Sequence, residues 1–210
     1  MLKKQGETIR LIFPFRQPTS AAIFRRLDTL WLVFDSGAPI DAARFKEDPS
    51  RTVRDVDIKP SGEGQVVRLK LGRPRQSTFT ADGDAWVVTL GDVVFEPTSP
   101  LAVTRVASPS QVNAIVAFDD PRRLHRLWDP DAGDRLLVVT GLGPARGFLK
   151  PQDFVEFRTL ASTHGVVVQP LADDVSAELA PEKIVIGRPG GLVLTAASDQ
   201  AAANSSAASK

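Results

Sequence analysis

The stretch Leu30-Trp31-Leu32-Val33-Phe34 decides the fold class of this protein. It is a short apolar run of aromatic and branched side chains, and it follows the turn-like segment Leu27-Asp28-Thr29. A run of this length next to turn residues is typical of a buried β-strand. Similar runs return at Ala85–Leu90 and Arg135–Thr140, each directly after a turn that contains Asp and Gly. The sequence therefore predicts a protein built from strands.

Each of these runs closes a repeated unit that reads strand, strand, tight turn, strand. The units recur about every fifty residues, the scale on which one supersecondary unit usually repeats. A fourth unit follows the same order with a weaker pattern. The predicted strands are Ile9–Phe15, Ala22–Arg26 and Leu30–Phe34; Val66–Leu71, Ser77–Thr80 and Ala85–Leu90; Asn113–Phe118, Arg122–Trp128 and Arg135–Thr140; and Val166–Pro170, Val175–Leu179 and Lys183–Gly187.

This repetition predicts an all-β fold. A lone three-stranded sheet cannot hide its apolar face, so we expect repeated three-stranded β-units packed face to face as a sandwich-like array. Trp31, Trp86, Leu137 and Ile184 fall in one column of the aligned units and are expected in the core, a role favoured over a platform for a ligand. Sixteen prolines and fifteen glycines interrupt any long helix. Two short segments, at 42–47 and 150–154, remain open between helix and coil.

The units divide the chain into three predicted regions. Residues 6–106 hold units one and two, and residues 107–195 hold units three and four. An alternative boundary after Gly141 would make the fourth unit a separate small domain. Residues 196–210 are rich in Ala and Ser and are expected to form a disordered tail or linker.

Composition excludes several classes of protein. Lys plus Arg is 26 and Asp plus Glu is 25, so the near-zero net charge of +1 argues against a general nucleic-acid binder. Cysteine is absent, which excludes disulfides, thiol catalysis and cysteine-ligated metals. No run approaches the roughly 20 apolar residues that span a bilayer, and the first residues lack the apolar core of a signal peptide. The chain is thus expected to be a mature protein or an excised fragment, without a membrane span.

Three motifs suggest chemistry that the rest of the sequence does not support. The glycines at 141–147 lack the following helix that a dinucleotide loop needs, so a connecting loop is favoured. The acidic segment at 129–134 lacks the Glu at the twelfth position of a calcium loop, so a tight turn is favoured. No Gly-x-Ser-x-Gly elbow is present. We therefore predict no enzyme and no cofactor, although counting carboxylates does not exclude a glycosidase pair.

One cluster carries the functional prediction. Residues 122–128 hold three arginines, a histidine and a tryptophan, and two further arginines lie at the matching place in the first unit. Arg suits bidentate contact with carboxylate or phosphate, and Trp stacks on a flat partner. The alternative is an edge strand whose charges are merely solvated. The candidate ligand-binding residues are Arg122, Arg123, His125, Arg126, Trp128, Arg25 and Arg26.

The first unit resembles the AMIN domain of Gram-negative envelope proteins. That family opens with an apolar strand carrying an Arg, as in Thr8-Ile9-Arg10-Leu11-Ile12-Phe13. A second strand ends near Phe24-Arg25-Arg26-Leu27, and the third has the family's form in Trp31-Leu32-Val33-Phe34-Asp35. The later units match this family pattern only weakly. The chain has more units than one AMIN domain needs, which departs from the family.

The whole chain is also similar to the region that precedes tetratricopeptide repeats in long bacterial envelope proteins. Residues 135–140, 147–157 and 187–192 carry this second resemblance. Together the resemblances imply a periplasmic module without catalytic residues. Its implied partners are peptidoglycan or an envelope protein, with its own C-terminal tetratricopeptide region as a further candidate.

Three hypotheses follow, in order of preference. The first is a non-catalytic module that targets the cell envelope by binding peptidoglycan or an envelope protein. The second is a protein–protein scaffold that presents sheet edges to a partner chain and has no affinity for the wall. The third and least favoured is a carbohydrate-active enzyme, which would need a deep cleft with two carboxylates roughly 5–10 Å apart.

Overall fold

The computed structural model describes residues 2–5, 8–46, 52–73, 75–91, 98–109 and 111–193, and the predicted tail at 196–210 lies outside them. The described chain is made of strands, with one helical turn, α1 (Ala43–Lys46). The strands of the first half are β1 (Leu2–Gln5), β2 (Thr8–Pro14), β3 (Ala21–Arg26), β4 (Thr29–Phe34), β5 (Val53–Ser61), β6 (Gly64–Leu71), β7 (Gln76–Asp82) and β8 (Ala85–Gly91). Those of the second half are β9 (Ser99–Pro100), β10 (Val103–Ala107), β11 (Val112–Ala117), β12 (Leu124–Asp129), β13 (Asp134–Val139), β14 (Arg146–Gly147), β15 (Gln152–Asp153), β16 (Phe157–Thr159), β17 (Ser162–His164), β18 (Val166–Pro170), β19 (Ser176–Ala180) and β20 (Lys183–Gly187).

Four antiparallel sheets of four or five strands carry the fold. We number them by their stacking order: sheet I is β1-β2-β8-β7, sheet II is β17-β3-β4-β6-β5, sheet III is β12-β13-β18-β16-β15, and sheet IV is β10-β11-β20-β19. Sheets I and II enclose one apolar core, and sheets III and IV enclose another. The protein is therefore two β-sandwiches, each with strands that alternate side chains between a core face and an opposite face.

Each sandwich is closed by an exchange of strands between two successive units. In the first sandwich, the hairpin β3-β4 pairs with β6 of the next unit, while β2 pairs with β8 of the hairpin β7-β8. The second sandwich repeats this pattern, because β13 pairs with β18 while β11 pairs with β20. Neither unit of a pair completes a sheet alone, so both are needed to bury the apolar faces.

The two sandwiches stack through a third apolar layer, which we call the seam. It joins the outer face of sheet II to the outer face of sheet III. Large side chains fill it, including Phe24 stacked on Trp31 at 5.6 Å between ring centroids. The buried seam residues are Ala22, Phe24, Trp31, Val33 and Val66 from the first sandwich and Leu127, Leu136, Val138, Leu160 and Val167 from the second.

Backbone pairing also crosses the seam. Strand β17 leaves the second sandwich and pairs with β3 at the edge of sheet II. Beside it, Ala21 and Gly141 exchange backbone hydrogen bonds of 2.9 and 3.0 Å, and the short strands β14 and β9 run parallel. The bonds between Ala21 and Gly141 hold the start of the loop at 141–147 against the first sandwich, and the pairing with β9 holds its end.

The structure confirms the all-β class and the packing of antiparallel sheets. The predicted unit of three strands does not form one sheet, because β2 and β6 each join the sheet of the other unit's hairpin. Trp31, Trp86, Leu137 and Ile184 are all buried, but Trp31 faces the seam whereas Trp86 faces the first core. Of the two open segments, 42–47 contains the turn α1 and 150–154 contains β15. Within the described residues no helix is long and apolar enough to cross a membrane.

Candidate binding site

Strand β12 holds three of the seven predicted binding residues, and its hairpin with β13 sets where they point. A four-residue turn joins the strands, closed by a hydrogen bond from Gly133 N to Asp129 O at 2.8 Å. Gly133 has a φ of 70°, in the left-handed region that favours glycine. The Asp129 side chain also accepts from Asp131 N at 3.0 Å. The resulting register places Trp128 opposite Arg135 and Arg126 opposite Leu137.

One face of β12 is open to solvent at its turn end. Trp128 is 59% exposed although Trp is among the side chains that gain most from burial. Its indole borders a cavity of about 270 Å³ at the open end of the second sandwich. We call this surface the Trp128 site. It is lined by Arg126, Leu127, Trp128, Arg135, Leu136, Leu137, Pro170, Asp173 and Val175.

The Trp128 site combines an aromatic ring with two cations over an apolar floor. Arg126 is exposed and has no ion-pair partner among the described residues, whereas Arg135 binds the exposed Asp173. Leu137 and Val175 form the floor and are each 6% exposed. A guanidinium offers bidentate contact to a carboxylate, and an indole stacks on a flat apolar surface such as a sugar ring. The arrangement therefore suits an anionic ligand with a flat apolar face.

The other face of β12 is buried in the seam. His125, Leu127 and Asp129 alternate there, with relative exposures of 3%, 9% and 2%. Asp129 accepts a hydrogen bond from Arg26 Nη1 at 2.6 Å. Arg26 also bonds both carboxylate oxygens of Asp134, at 2.5 and 2.8 Å. The hydrogen bond to Asp134, followed by the charges of both carboxylates, raises the pKa of Arg26 further above its ordinary value.

His125 connects the two sandwiches through a chain of hydrogen bonds. Its Nε2 lies 2.6 Å from Asp35 Oδ1, and its Nδ1 lies 3.0 Å from Ser61 Oγ. Because a carboxylate can only accept, Nε2–H donates to Asp35, and Nδ1 shares the second hydrogen bond with the Ser61 hydroxyl. Thr140 donates to the second oxygen of Asp35 at 2.6 Å. A Cβ on Gly64 would overlap Phe34 O and would lie 3.2 Å from the His125 ring, so glycine is required mainly by the close approach of the β4 backbone.

A serine, a histidine and an aspartate in contact are the side chains of a hydrolase triad. Here Asp35 and His125 have side-chain exposures of only 10% and 2%. Ser61 lines neither the Trp128 site nor the larger cavity beside β7. The network joins the ends of β4 and β5 to β12, and we assign it the role of holding the sandwiches together.

The structure thus divides the predicted residues. Arg126 and Trp128 meet at the Trp128 site, whereas Arg26 and His125 lie in the seam. Arg123 bonds Glu63 across the same interface at 2.9 Å, and Arg122 pairs with Asp120 in its own loop. Arg25 lies apart from all of these and donates to the backbone oxygen of Arg75 at 3.1 Å.

Sequence reasoning missed several residues of both faces. Arg135, Pro170, Asp173 and Val175 complete the Trp128 site, and Asp35 completes the seam network. Arg135 could have been identified from the sequence, because the turn predicted at 129–134 places it across from Trp128. The others come from strands and turns distant in sequence and carried no local signal.

Comparison of the chain with protein-family models, curated proteins and solved structures returned no match. The resemblance of the first unit to the AMIN domain therefore remains an expectation from the sequence.

Proposed function

We propose that this protein is a non-catalytic binding module of the cell envelope that holds peptidoglycan at the Trp128 site. One observation carries the proposal: a largely exposed Trp128 lies over an apolar floor beside the guanidinium of Arg126, which has no ion-pair partner among the described residues. The periplasmic location and the choice of peptidoglycan follow from the family resemblance stated above.

The chemistry of the wall suits this surface. Its glycan offers flat sugar rings for the indole, and its stem peptides offer carboxylates for the arginines. A largely exposed Trp with a neighbouring Arg has the composition that dominates binding energy at interfaces. The net charge of +1 gives little long-range attraction, so the contact with the ligand has to be local.

The experiment is co-sedimentation of the purified chain with peptidoglycan sacculi. Wild type is compared with Trp128→Ala and Arg126→Ala. Arg158→Ala is the matched control, since Arg158 is an exposed arginine that pairs with Asp153 away from the site. Removal of either site residue should weaken binding about tenfold or more, as for a central interface residue, and the control should bind like wild type.

Two outcomes would contradict the proposal. If wild type stays in the supernatant, the chain has no wall affinity and the scaffold hypothesis takes its place. If all variants pellet alike, the wall is bound by another surface and the Trp128 site is a solvated strand end.

A further inference from the structure

A second surface, separate from the Trp128 site, lies along strand β10 at the end of sheet IV. Among the described strands, β11 is the only neighbour of β10 in that sheet. The four residues from Thr104 to Ala107 are all exposed, and Val106 is 42% exposed. An edge strand of this kind presents backbone groups to solvent and is a template for an added strand.

The hairpin of β10 and β11 determines which backbone groups of β10 point away from the sheet. Beside its turn, Ser108 N donates to Gln111 O at 2.9 Å, which makes these two residues a hydrogen-bonded pair. Hydrogen-bonded pairs alternate along antiparallel strands, so Thr104 and Val106 are the residues that bond β11. The outward residues, whose N–H and C=O groups point away from β11, are Val103, Arg105 and Ala107.

The backbone groups of the outward residues have no hydrogen-bond partner among the described residues. Just upstream the chain already accepts a strand, because Ser99 N donates to Ala145 O at 3.0 Å and Leu101 N donates to Gly147 O at 2.9 Å. Strand β14 ends at Gly147, and no other described strand continues beside β10. The free edge therefore extends along the whole of β10.

The opposite end of sheet IV is less accessible. The two-residue turn of the β19–β20 hairpin makes Ala180 and Lys183 a hydrogen-bonded pair, so Ala177 is an outward residue of β19. Ala177 is only 6% exposed, whereas Arg105 and Ala107 at the β10 end are both exposed. An added strand can thus approach the backbone of β10 more readily than that of β19.

Arg105 gives the free edge a charge preference. It is exposed and forms no ion pair with any residue that the structure describes. It lies directly across from Ala114 of the second core, so its side chain leaves β10 on the core face, at the rim of the sandwich. A carboxylate on the facing residue of an added strand would form a charge-assisted pair with this guanidinium.

The other face of β10 is less polar. Val106 follows Arg105 and therefore points to the opposite side of the sheet, where Thr104 lies across from the half-buried Ile115. An apolar side chain of an added strand would cover the exposed part of Val106. The edge as a whole thus complements a strand in which acidic and apolar side chains alternate.

We propose that β10 binds an extended acidic segment of a partner protein, in which carboxylate side chains alternate with apolar ones. The segment bonds the backbone groups of the outward residues and adds a strand to sheet IV. Its carboxylate meets Arg105 on one face, and its apolar side chains cover Val106 on the other.

The same arginine disfavours a second copy of the chain as the occupant. Residues 98–109 contain neither Asp nor Glu, so a second β10 offers no carboxylate to Arg105. Antiparallel pairing of two copies about Arg105 would bring two guanidiniums together. Charged residues on edge strands prevent self-pairing in this way, and they select a partner of opposite charge.

The test uses two end-capped synthetic peptides, one alternating Val with Glu and the other alternating Val with Lys. Binding is followed in ¹H–¹⁵N spectra of the full chain. The glutamate peptide should shift the amide signals of Val103, Arg105 and Ala107 more than those of Thr104 and Val106, which already bond β11. It should bind about fivefold more tightly than the lysine peptide, since the lysine peptide cannot form the cross-strand ion pair.

A charge reversal tests the contact with Arg105. Arg105→Glu should reverse the preference, so that the lysine peptide binds more tightly than the glutamate peptide. Arg10→Glu is the matched control, because Arg10 is an exposed arginine on β2 of sheet I, at the other end of the stack. It should retain the preference of wild type.

A proline tests the backbone contact. Ala107→Pro removes one outward N–H and leaves the hydrogen bonds to β11 in place, so it should weaken binding of the glutamate peptide about fivefold or more. Ala107→Val keeps the N–H and should bind like wild type. If the proline variant does not fold, the charge reversal at Arg105 decides the question.

Four results would overturn the proposal. The two peptides could bind wild type equally, or neither could shift the amide signals of the outward residues. A folded Ala107→Pro variant could bind the glutamate peptide like wild type. Finally, the same signals could shift with protein concentration when no peptide is present, which would show that a second copy occupies the edge.

Discussion

The two faces of strand β12 differ in what they contact, although their residues alternate along one short segment. His125, Leu127 and Asp129 face the seam and are at most 9% exposed, whereas Trp128 on the opposite face is 59% exposed. The buried face meets the first sandwich through apolar contacts and charge-assisted hydrogen bonds. Among the residues that the structure describes, the open face meets only its own sandwich.

This difference separates residues that hold the two sandwiches together from residues that are accessible to solvent within one cluster. The side-chain period of a strand is two, so neighbours in sequence serve opposite surfaces. The basic and aromatic residues that form a single cluster in the sequence therefore lie on two different surfaces of the structure. One set holds the sandwiches together, and the other is available to a ligand.

The difference between the two faces is tested most directly by replacing two adjacent residues of β12, one from each face, with Ala. Leu127→Ala removes a side chain from the seam core and should cost about 3 kcal/mol in the free energy of unfolding. Trp128→Ala removes a larger side chain from the open face and should change that free energy by no more than about 0.5 kcal/mol. Urea denaturation of the two variants beside wild type measures both values. Equal costs would mean that Trp128 packs as tightly as Leu127, and the distinction between the faces would be lost.

Acidification is expected to weaken a second contact between the two sandwiches, the one that His164 makes in β17. His164 is fully buried there, donates from Nε2 to Gly141 O at 3.0 Å and accepts from Arg146 N at 3.2 Å. Burial, aided by the charge of Arg146, lowers the pKa of His164 from 6.5 to about 4. The unfolded chain therefore takes up the proton first as pH falls. Stability is complete above pH 6.5 and declines until the pKa of the folded state is passed.

Between neutral pH and about pH 5, the difference in proton uptake at His164 should lower the free energy of unfolding by about 2 kcal/mol. His164→Gln keeps a donor toward Gly141 and does not titrate. Its stability should thus fall less steeply over the same range, whatever its value at neutral pH. Urea denaturation at the two pH values makes the measurement. Parallel pH profiles for wild type and variant would show that His164 is not the group responsible.

The sequence predicted twelve of the described strands from local signals such as the apolar run at 30–34, but it did not predict β1, β5, β9, β10 or β14–β17. It did not predict the exchange of β2 and β6 between sheets. That choice depends on which of two equally apolar strands lies beside each hairpin, and nothing within Ile9–Phe15 or Val66–Leu71 distinguishes the two pairings. Long-range pairing is decided by closure of the whole sandwich.

The residues of the candidate site were also predicted only in part, because the sequence shows local patterns and not long-range contacts. Trp128 and Arg126 follow from a local cluster, and Arg135 follows from the hairpin register. Asp35 and Ser61 reach His125 only after two sandwiches stack, so their contact has no sequence signal. The buried role of His125 was accordingly not expected.

The smallest expected effect tests the edge of the Trp128 site. Arg122 lies just before β12, is 45% exposed at its side chain and pairs with Asp120 in the same loop. Arg122→Ala should change the free energy of unfolding by less than about 0.5 kcal/mol, as for most exposed ion pairs. Sacculus binding should also stay within about twofold of wild type, since only a few central residues carry most of an interface's energy. Loss of binding as large as that of Arg126→Ala would extend the ligand's footprint along the chain to the loop before β12. Exposure on the open face of β12 would then no longer predict which substitutions weaken sacculus binding.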